Sequence, residues 1–210
     1  MLFTPQCFDI IHRKTVADER FQPGTTAWEI TQCPEEQSFI DNGYYWMENS
    51  SDNDWMYYKY KLPLKRRDDW LLHTQLELLR SESYGHYGLV WGFDADIEQL
   101  NRFTVSADGE RCLVMHFQKD HRVVYHRYQK RFATPLKGTV ELSILKISNY
   151  YYFLVNKTMI YLCEASAFAA AGPYAGYYLE PGLFVRSPFF KAERLTVQPA
   201  VAEPLDAPYL

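Results

Sequence analysis

The chain is poor in the features that usually announce a function. Cysteine is scarce: Cys7, Cys33, Cys112 and Cys163 lie far apart and no C-x-x-C pair occurs, which removes a zinc site of the usual spacing. There is no Ser-His-Asp order, no phosphate-binding glycine loop and no dinucleotide fingerprint. Long basic runs are also missing. The best, Lys65-Arg66-Arg67, is followed at once by Asp68-Asp69, and the net charge of the whole chain is −4. A clustered positive footprint for nucleic acid is therefore not expected. No stretch approaches the roughly 18 apolar residues of a membrane helix, so no membrane partner is expected either. The start, M-L-F-T-P-Q-C-F-D-I-I-H-R-K, lacks a charged segment followed by an apolar one, so no signal peptide is expected. That reading places the protein in the cytoplasm with mostly reduced thiols.

What the chain has is aromatic side chains and alternation. Hydrophobic residues make up 47% and aromatics 17%, with 17 Tyr and 13 Phe, so a sizeable core is available. Tyr suits both strands and binding surfaces, because it joins apolar area to a polar tip. The densest stretch runs from Tyr84 to Val105, Y-G-H-Y-G-L-V-W-G-F-D-A-D-I-E-Q-L-N-R-F-T-V: an apolar run, an acidic break and a second alternating run. This is a hairpin signature.

The rest of the chain follows the same pattern. Short strands are expected at 7–12 and 26–32. Asp41-Asn42-Gly43 marks a tight turn between two aromatic runs, followed by a polar loop at 49–54 and a strand ending before Pro63. Trp70 to Arg80 has leucine spacing that a helix would allow, but its place between β-runs favours a long strand. Hairpins are expected about Lys119-Asp120 and Ser148-Asn149, with a further turn at Asn156-Lys157-Thr158. Residues 165–172 (A-S-A-F-A-A-A-G) are the one helical turn, and closing strands follow up to Val197. Neither an internal repeat nor a linker is visible. The expectation is one all-β domain over 1–197, an antiparallel β-sandwich of jelly-roll type, with a Pro-rich, poorly ordered tail at 198–210.

The later half carries a resemblance. G-L-V-W-G-F (88–93), N-R-F-T-V-S-A-D-G (101–109), L-S-I-L-K-I-S-N-Y-Y-Y-F-L-V-N-K-T-M-I-Y (142–161) and A-G-Y-Y-L-E-P-G-L-F-V (175–185) occur in an order that resembles the concanavalin A-like lectin/glucanase superfamily. The pattern is most similar to its laminin-G-like and keto-disaccharide-hydrolase-like branch. In F-L-V-N-K-T-M-I (153–160), Lys157 stands where that family usually has Gly. The resemblance implies two curved sheets. The concave one binds sugars in many members; some members are hydrolases and others bind proteins.

Three sets of residues are candidates for a site. Asp94, Asp96 and Glu98 are similar to the E-x-D-x-E catalytic motif of the family's glucanases. On a strand they would share one face, as a retaining glycoside hydrolase needs. The same oxygens could hold calcium. The plain alternative is a solvated acidic turn. The second set is His86 and Trp91 on the first hairpin arm. There Tyr87, Leu89, Trp91 and Phe93 share one parity and His86, Gly88, Val90 and Gly92 the other. Their rings could stack on sugars or simply form core. The third set is Tyr44, Trp46, Asn49, Asp52, Trp55 and Tyr57 around the polar loop, a composition that suits sugar recognition and also an ordinary sandwich edge. His116 and His126 lie on neighbouring strands but lack a third ligand at helpful spacing.

The first functional reading is thus a non-catalytic module that binds carbohydrate through the concave sheet and loop 49–54, with no obligatory cofactor. The second is a protein-interaction or structural module, with the Tyr-rich surface making a partner or homo-oligomer contact. The third is a glycoside hydrolase acting through Asp94, Asp96 and Glu98.

Overall fold

The computed structural model describes residues 8–22, 24, 28–52, 56–62, 64–65, 67–94, 99–118, 124–168 and 172–199; the side chains of Tyr57, Asp94, Phe117, Gln118, Val124, Tyr125 and Pro199 lie outside that description. Fifteen strands follow one another in the order β1 (Phe8–Glu19), β2 (Glu36–Asp41), β3 (Tyr44–Asn49), β4 (Met56–Lys61), β5 (Asp69–Ser81), β6 (His86–Asp94), β7 (Gln99–Ser106), β8 (Arg111–Gln118), β9 (Val124–Arg131), β10 (Thr139–Ile147), β11 (Tyr150–Val155), β12 (Thr158–Glu164), β13 (Tyr174–Leu179), β14 (Leu183–Ser187) and β15 (Phe190–Pro199). The helical turn expected over 165–172 is a 3-10 turn at Ala165–Ala167. Among the described residues no helix is long and apolar enough to cross a membrane.

The strands form two antiparallel sheets. One has six strands in the order β4-β13-β6-β7-β8-β9; the other has nine, built on the path β12-β11-β10-β5-β14-β3-β2, with β15 added beside β5 and β1 beside β15. Strand β5 is the spine of the larger sheet. It pairs with β10 along one edge, and its other edge is shared by β15 (Phe190↔Thr74 to Leu195↔Asp69) and β14 (Leu183↔Ser81 to Arg186↔Glu77). Pro188, which has no N–H to give to a ladder, separates those two strands. The leucines of β5 therefore serve a period of two: Trp70, Leu72, Thr74 and Leu76 are buried and alternate with half-buried residues.

Two stretches differ from the sequence reading. The first strand runs on to Glu19, because it keeps pairing with β15 through register shifts at Ile10/His12 and Thr15/Ala17. Of the strand expected at 26–32, the described residues 28–32 hold only an isolated bridge, Gln32↔Gln37. There Trp28 turns inward and packs against Phe21, Tyr45, Tyr60, Tyr177 and Phe190 at centroid distances of 5.0–5.8 Å. Burying a ring of this kind contributes about 1.5–3 kcal/mol, which outweighs the weak local preference for a strand.

Much of the aromatic excess is core. Tyr45, Tyr58, Trp70, Tyr87, Trp91, Phe103, Phe153, Phe168, Tyr177 and Phe190 all fill the space between the sheets. A buried polar link also crosses this space. The Tyr177 hydroxyl on β13 lies 3.1 Å from Thr74 Oγ1 on β5 and donates to Ser187 Oγ at 2.8 Å.

Candidate functional site

Strand pairing sets out the outer face of the six-stranded sheet as rows. One row reads Arg127–Met115–Arg102–Val90–Gly176–Lys59 from β9 to β4, and the next reads Gln129–Leu113–Thr104–Gly88–Tyr178–Tyr57. Both arise because alternate residues of a strand share a face. The sequence reading put Phe93 on the same face as Trp91. Instead, Gly92 takes a φ of 65° at a bulge, and Phe93 joins Val90, Leu100, Leu113, Met115 and Tyr178 in a second apolar cluster on the outer face.

Adjoining this cluster and sharing Tyr178 with it, four side chains form one polar network. Arg102 Nη1 donates to Glu180 Oε1 at 2.9 Å and also to the Tyr178 hydroxyl, and the Arg102 guanidinium lies 4.5 Å over the Tyr178 ring. The Tyr178 hydroxyl donates to the same Glu180 oxygen at 3.2 Å. Glu180 Oε2 accepts from the His86 amide at 2.8 Å and lies 3.1 Å from His86 Nδ1. Burial alone would raise the Glu180 carboxyl, but the His86 ring and amide and the Arg102 charge outweigh it and hold it at about 2. Burial, in contrast, pushes the Tyr178 hydroxyl well above its ordinary value. At neutral pH this is an ionised carboxylate fixed by charge-assisted bonds. The network reaches solvent through His86 and Glu180, whose side chains are 21% and 23% exposed, and Tyr84, two residues before His86, is 83% exposed.

Of the predicted site residues, His86 alone belongs to this network. Trp91 is core: 3% exposed, it packs against Phe153 and Phe168 at 5.6 and 5.3 Å. Tyr44 and Trp46 sit on the outer face of the opposite, nine-stranded sheet. There Trp46 stacks on Phe39 at 5.7 Å and 8°, and Arg186, paired with Glu77, lies 4.4 Å over Tyr44 and 5.1 Å over Trp46. The two ring sets expected to line one surface therefore lie on different faces. Asn49 is buried and ties the sheets together, donating to the Leu179 carbonyl at 3.1 Å and accepting from the Ser51 amide at 3.0 Å. Asp52 is exposed at the end of that loop. Trp55 and the Tyr57 side chain lie outside the described residues, as do Asp96, Glu98 and the side chain of Asp94. The backbone of Asp94 ends β6 and pairs with Gln99, so the acidic triplet starts where the strand stops.

The two histidines do face each other, as register partners. They turn inward: His116 is 2% exposed and Nδ1 lies 2.8 Å from Asn101 Oδ1, while His126 Nε2 lies 2.9 Å from the Tyr161 hydroxyl. Burial lowers the pKa of both, which favours the neutral rings. No group of three metal-ligating side chains converges among the described residues.

Arg102, Tyr178 and Glu180 escaped the sequence reading. A signal was present in L-N-R-F-T-V, where one arginine interrupts an apolar strand, and in Y-Y-L-E-P-G, where a carboxylate follows one directly. Neither signal says that the two strands flank β6.

No family model and no curated protein matches this chain. Solved structures do. A Bacillus subtilis protein of unknown function with a galectin-like fold aligns with a TM-score of 0.62 at 11% identity, over 90% of this chain and 99% of that one. The endo-β-1,3-glucanase from Pyrococcus furiosus aligns with a TM-score of 0.60 at 7% identity, over 92% and 97%. The CBM2 module of evolved Dit from Lactobacillus casei phage J-1 aligns with a TM-score of 0.58 at 12% identity, over 89% and 97%. Binding modules and hydrolases thus share one architecture, and at these identities the likeness concerns that architecture alone. With its two antiparallel sheets and its strand order, the chain has the concanavalin A-like jelly-roll fold.

Proposed function

We propose that the protein binds carbohydrate at the edge of its six-stranded sheet where His86 and Glu180, backed by the buried Arg102 and Tyr178, reach the surface. The observation that carries this reading is Glu180, fixed by Arg102, Tyr178 and His86, together with the exposed Tyr84 two residues before His86 in the chain. Sugar recognition needs that combination: an aromatic face for the C–H side of a pyranose and preset polar groups for its hydroxyls. Orientation is already fixed by the Arg102 and His86 contacts, so little side-chain entropy remains to be lost on binding. The shared architecture of binding modules supports the same reading.

A glycan array with the wild type, Tyr84→Ala and Glu180→Gln tests it. Saturable binding that both variants weaken is the expected result. An array blank for the wild type, or binding that neither variant changes, would exclude this site.

A second reading has its own observation. On the nine-stranded sheet, Phe39, Trp46 and Phe184 lie side by side, braced by Arg186 and Arg80, and Arg, Trp and aromatic residues are the types enriched at protein interfaces. Association through this face, with a protein partner or a second copy, predicts that Trp46→Ala abolishes partner capture or self-association. Sedimentation velocity reads the second case directly.

A further inference from the structure

A groove of about 400 Å³ lies on the outer face of the nine-stranded sheet, on the other sheet from the His86–Glu180 edge. Strand pairing lays out its floor as two adjacent rows, Lys191–His73–Ser143–Leu154 and Glu193–Leu71–Leu145. The rows cross neighbouring strands from β15 to β11, so the longer one spans only about 14 Å. The groove is open. Leu71, Leu145 and Leu154 are half-buried, and the His73 and Glu141 side chains are each 25% exposed.

Three cations and two carboxylates face it. Glu193 binds Arg13 at 3.2 Å and Lys191 at 2.8 Å, one carboxylate against two cations. Glu141 lies 3.9 Å from His73 Nδ1, which is 2.9 Å from Ser143 Oγ. Burial lowers the pKa of His73 and favours the neutral ring, so the imidazole does not answer the Glu141 charge. Lys157 is exposed and has no carboxylate partner among the described residues. The groove thus carries one surplus positive charge in a chain whose net charge is −4.

Lys157 is the informative member. It reaches the groove from the turn between β11 and β12, where its φ is 66° and Gly would be free of strain. Backbone strain tends to be kept where a residue serves binding, and here the strained residue brings an unpaired charge to a groove. A hydrocarbon body would cover the three leucines while an anionic group met Lys157. Glu141 sets a limit, because a second negative charge on the ligand would face it.

We propose that this groove is a ligand site of its own, for a small monocarboxylic acid with an apolar body. The carboxylate pairs with Lys157 and the body lies on Leu71, Leu145 and Leu154. The volume falls within the roughly 300–1,000 Å³ of small-molecule pockets, room for one such acid.

The test is an NMR titration of the full chain, followed through its backbone amides, with octanoate, octanamide, suberate and inorganic phosphate. Octanoate is expected to shift the amides of His73, Ser143 and Leu145 and to bind about tenfold or more tighter than the other three. Lys157→Gly should weaken octanoate about fivefold or more while staying folded, and Lys157→Arg, which keeps the charge, should remain within about twofold of wild type. Octanamide binding as tightly as octanoate would overturn the carboxylate class. Suberate or phosphate binding as tightly would overturn the single charge on an apolar body. Groove amides unmoved by millimolar octanoate, or full octanoate affinity in Lys157→Gly, would overturn the site.

Discussion

Arg102 and Glu180 meet at 2.9 Å although β6 runs between the strands that position them. Arg102 lies on β7, Glu180 directly follows β13, and the β6 residue paired with Tyr178 is Gly88, which puts no side chain in the way. His86, at the start of β6, binds the same carboxylate from below.

This arrangement has a pH signature. Glu180 is held at about 2 in the folded protein against an ordinary 4.5, so its contribution is present above 4.5 and is lost as pH falls from there toward 2. The difference corresponds to about 3 kcal/mol. Urea unfolding measured between pH 6 and about 2 should show wild-type stability falling through that window, with a shallower fall in Glu180→Gln. At neutral pH the variant should itself be less stable by about 3 kcal/mol or more, because Arg102 is left buried without its anion. Parallel pH profiles for the two proteins would contradict the assignment.

The turn between β11 and β12 contains a correctable strain. Asn156 and Lys157 both have positive φ, 47° and 66°. Asn tolerates that region well and Lys poorly, whereas Gly adopts it without cost. Lys157→Gly should therefore raise stability by about 0.5–1 kcal/mol, read as an upward shift of the denaturation midpoint, and the exposed side chain leaves no cavity behind.

Gly176 is tight where Lys157 is loose. A Cβ added there would lie 1.8 Å from the Tyr58 carbonyl oxygen on β4, a backbone atom that cannot swing aside. Gly176→Ala should cost about 1–3 kcal/mol and loosen β4 first, seen as faster amide exchange in Tyr58–Tyr60.

Binding should separate the His86–Glu180 edge from the outer face of the nine-stranded sheet. Tyr84→Ala is expected to weaken glycan affinity about fivefold or more. Trp46→Ala lies on the opposite sheet and should leave that affinity within about twofold of wild type. A glycan titration of both variants decides between the faces, and the reverse ranking would move the site to the nine-stranded sheet.

What could be read from the chain alone was local. Asn42 and Gly43, at φ 50° and 78°, make the tight turn that Asp41-Asn42-Gly43 announced, because such turns depend on a few adjacent residues. The alternating runs became strands, and the polar breaks between them became connections, so the sandwich and its concanavalin A-like character were legible before any coordinate. Trp28, Phe93 and the network required the third dimension. Trp28 left its alternating stretch for a core pocket, and a single bulge at Gly92 reversed the side of Phe93. His86, Arg102 and Glu180 converge only because the sheet order sets β13 and β7 on either side of β6. Alternation says that a residue points up or down; which strands become neighbours, and in what register, is decided by burial summed over the whole chain.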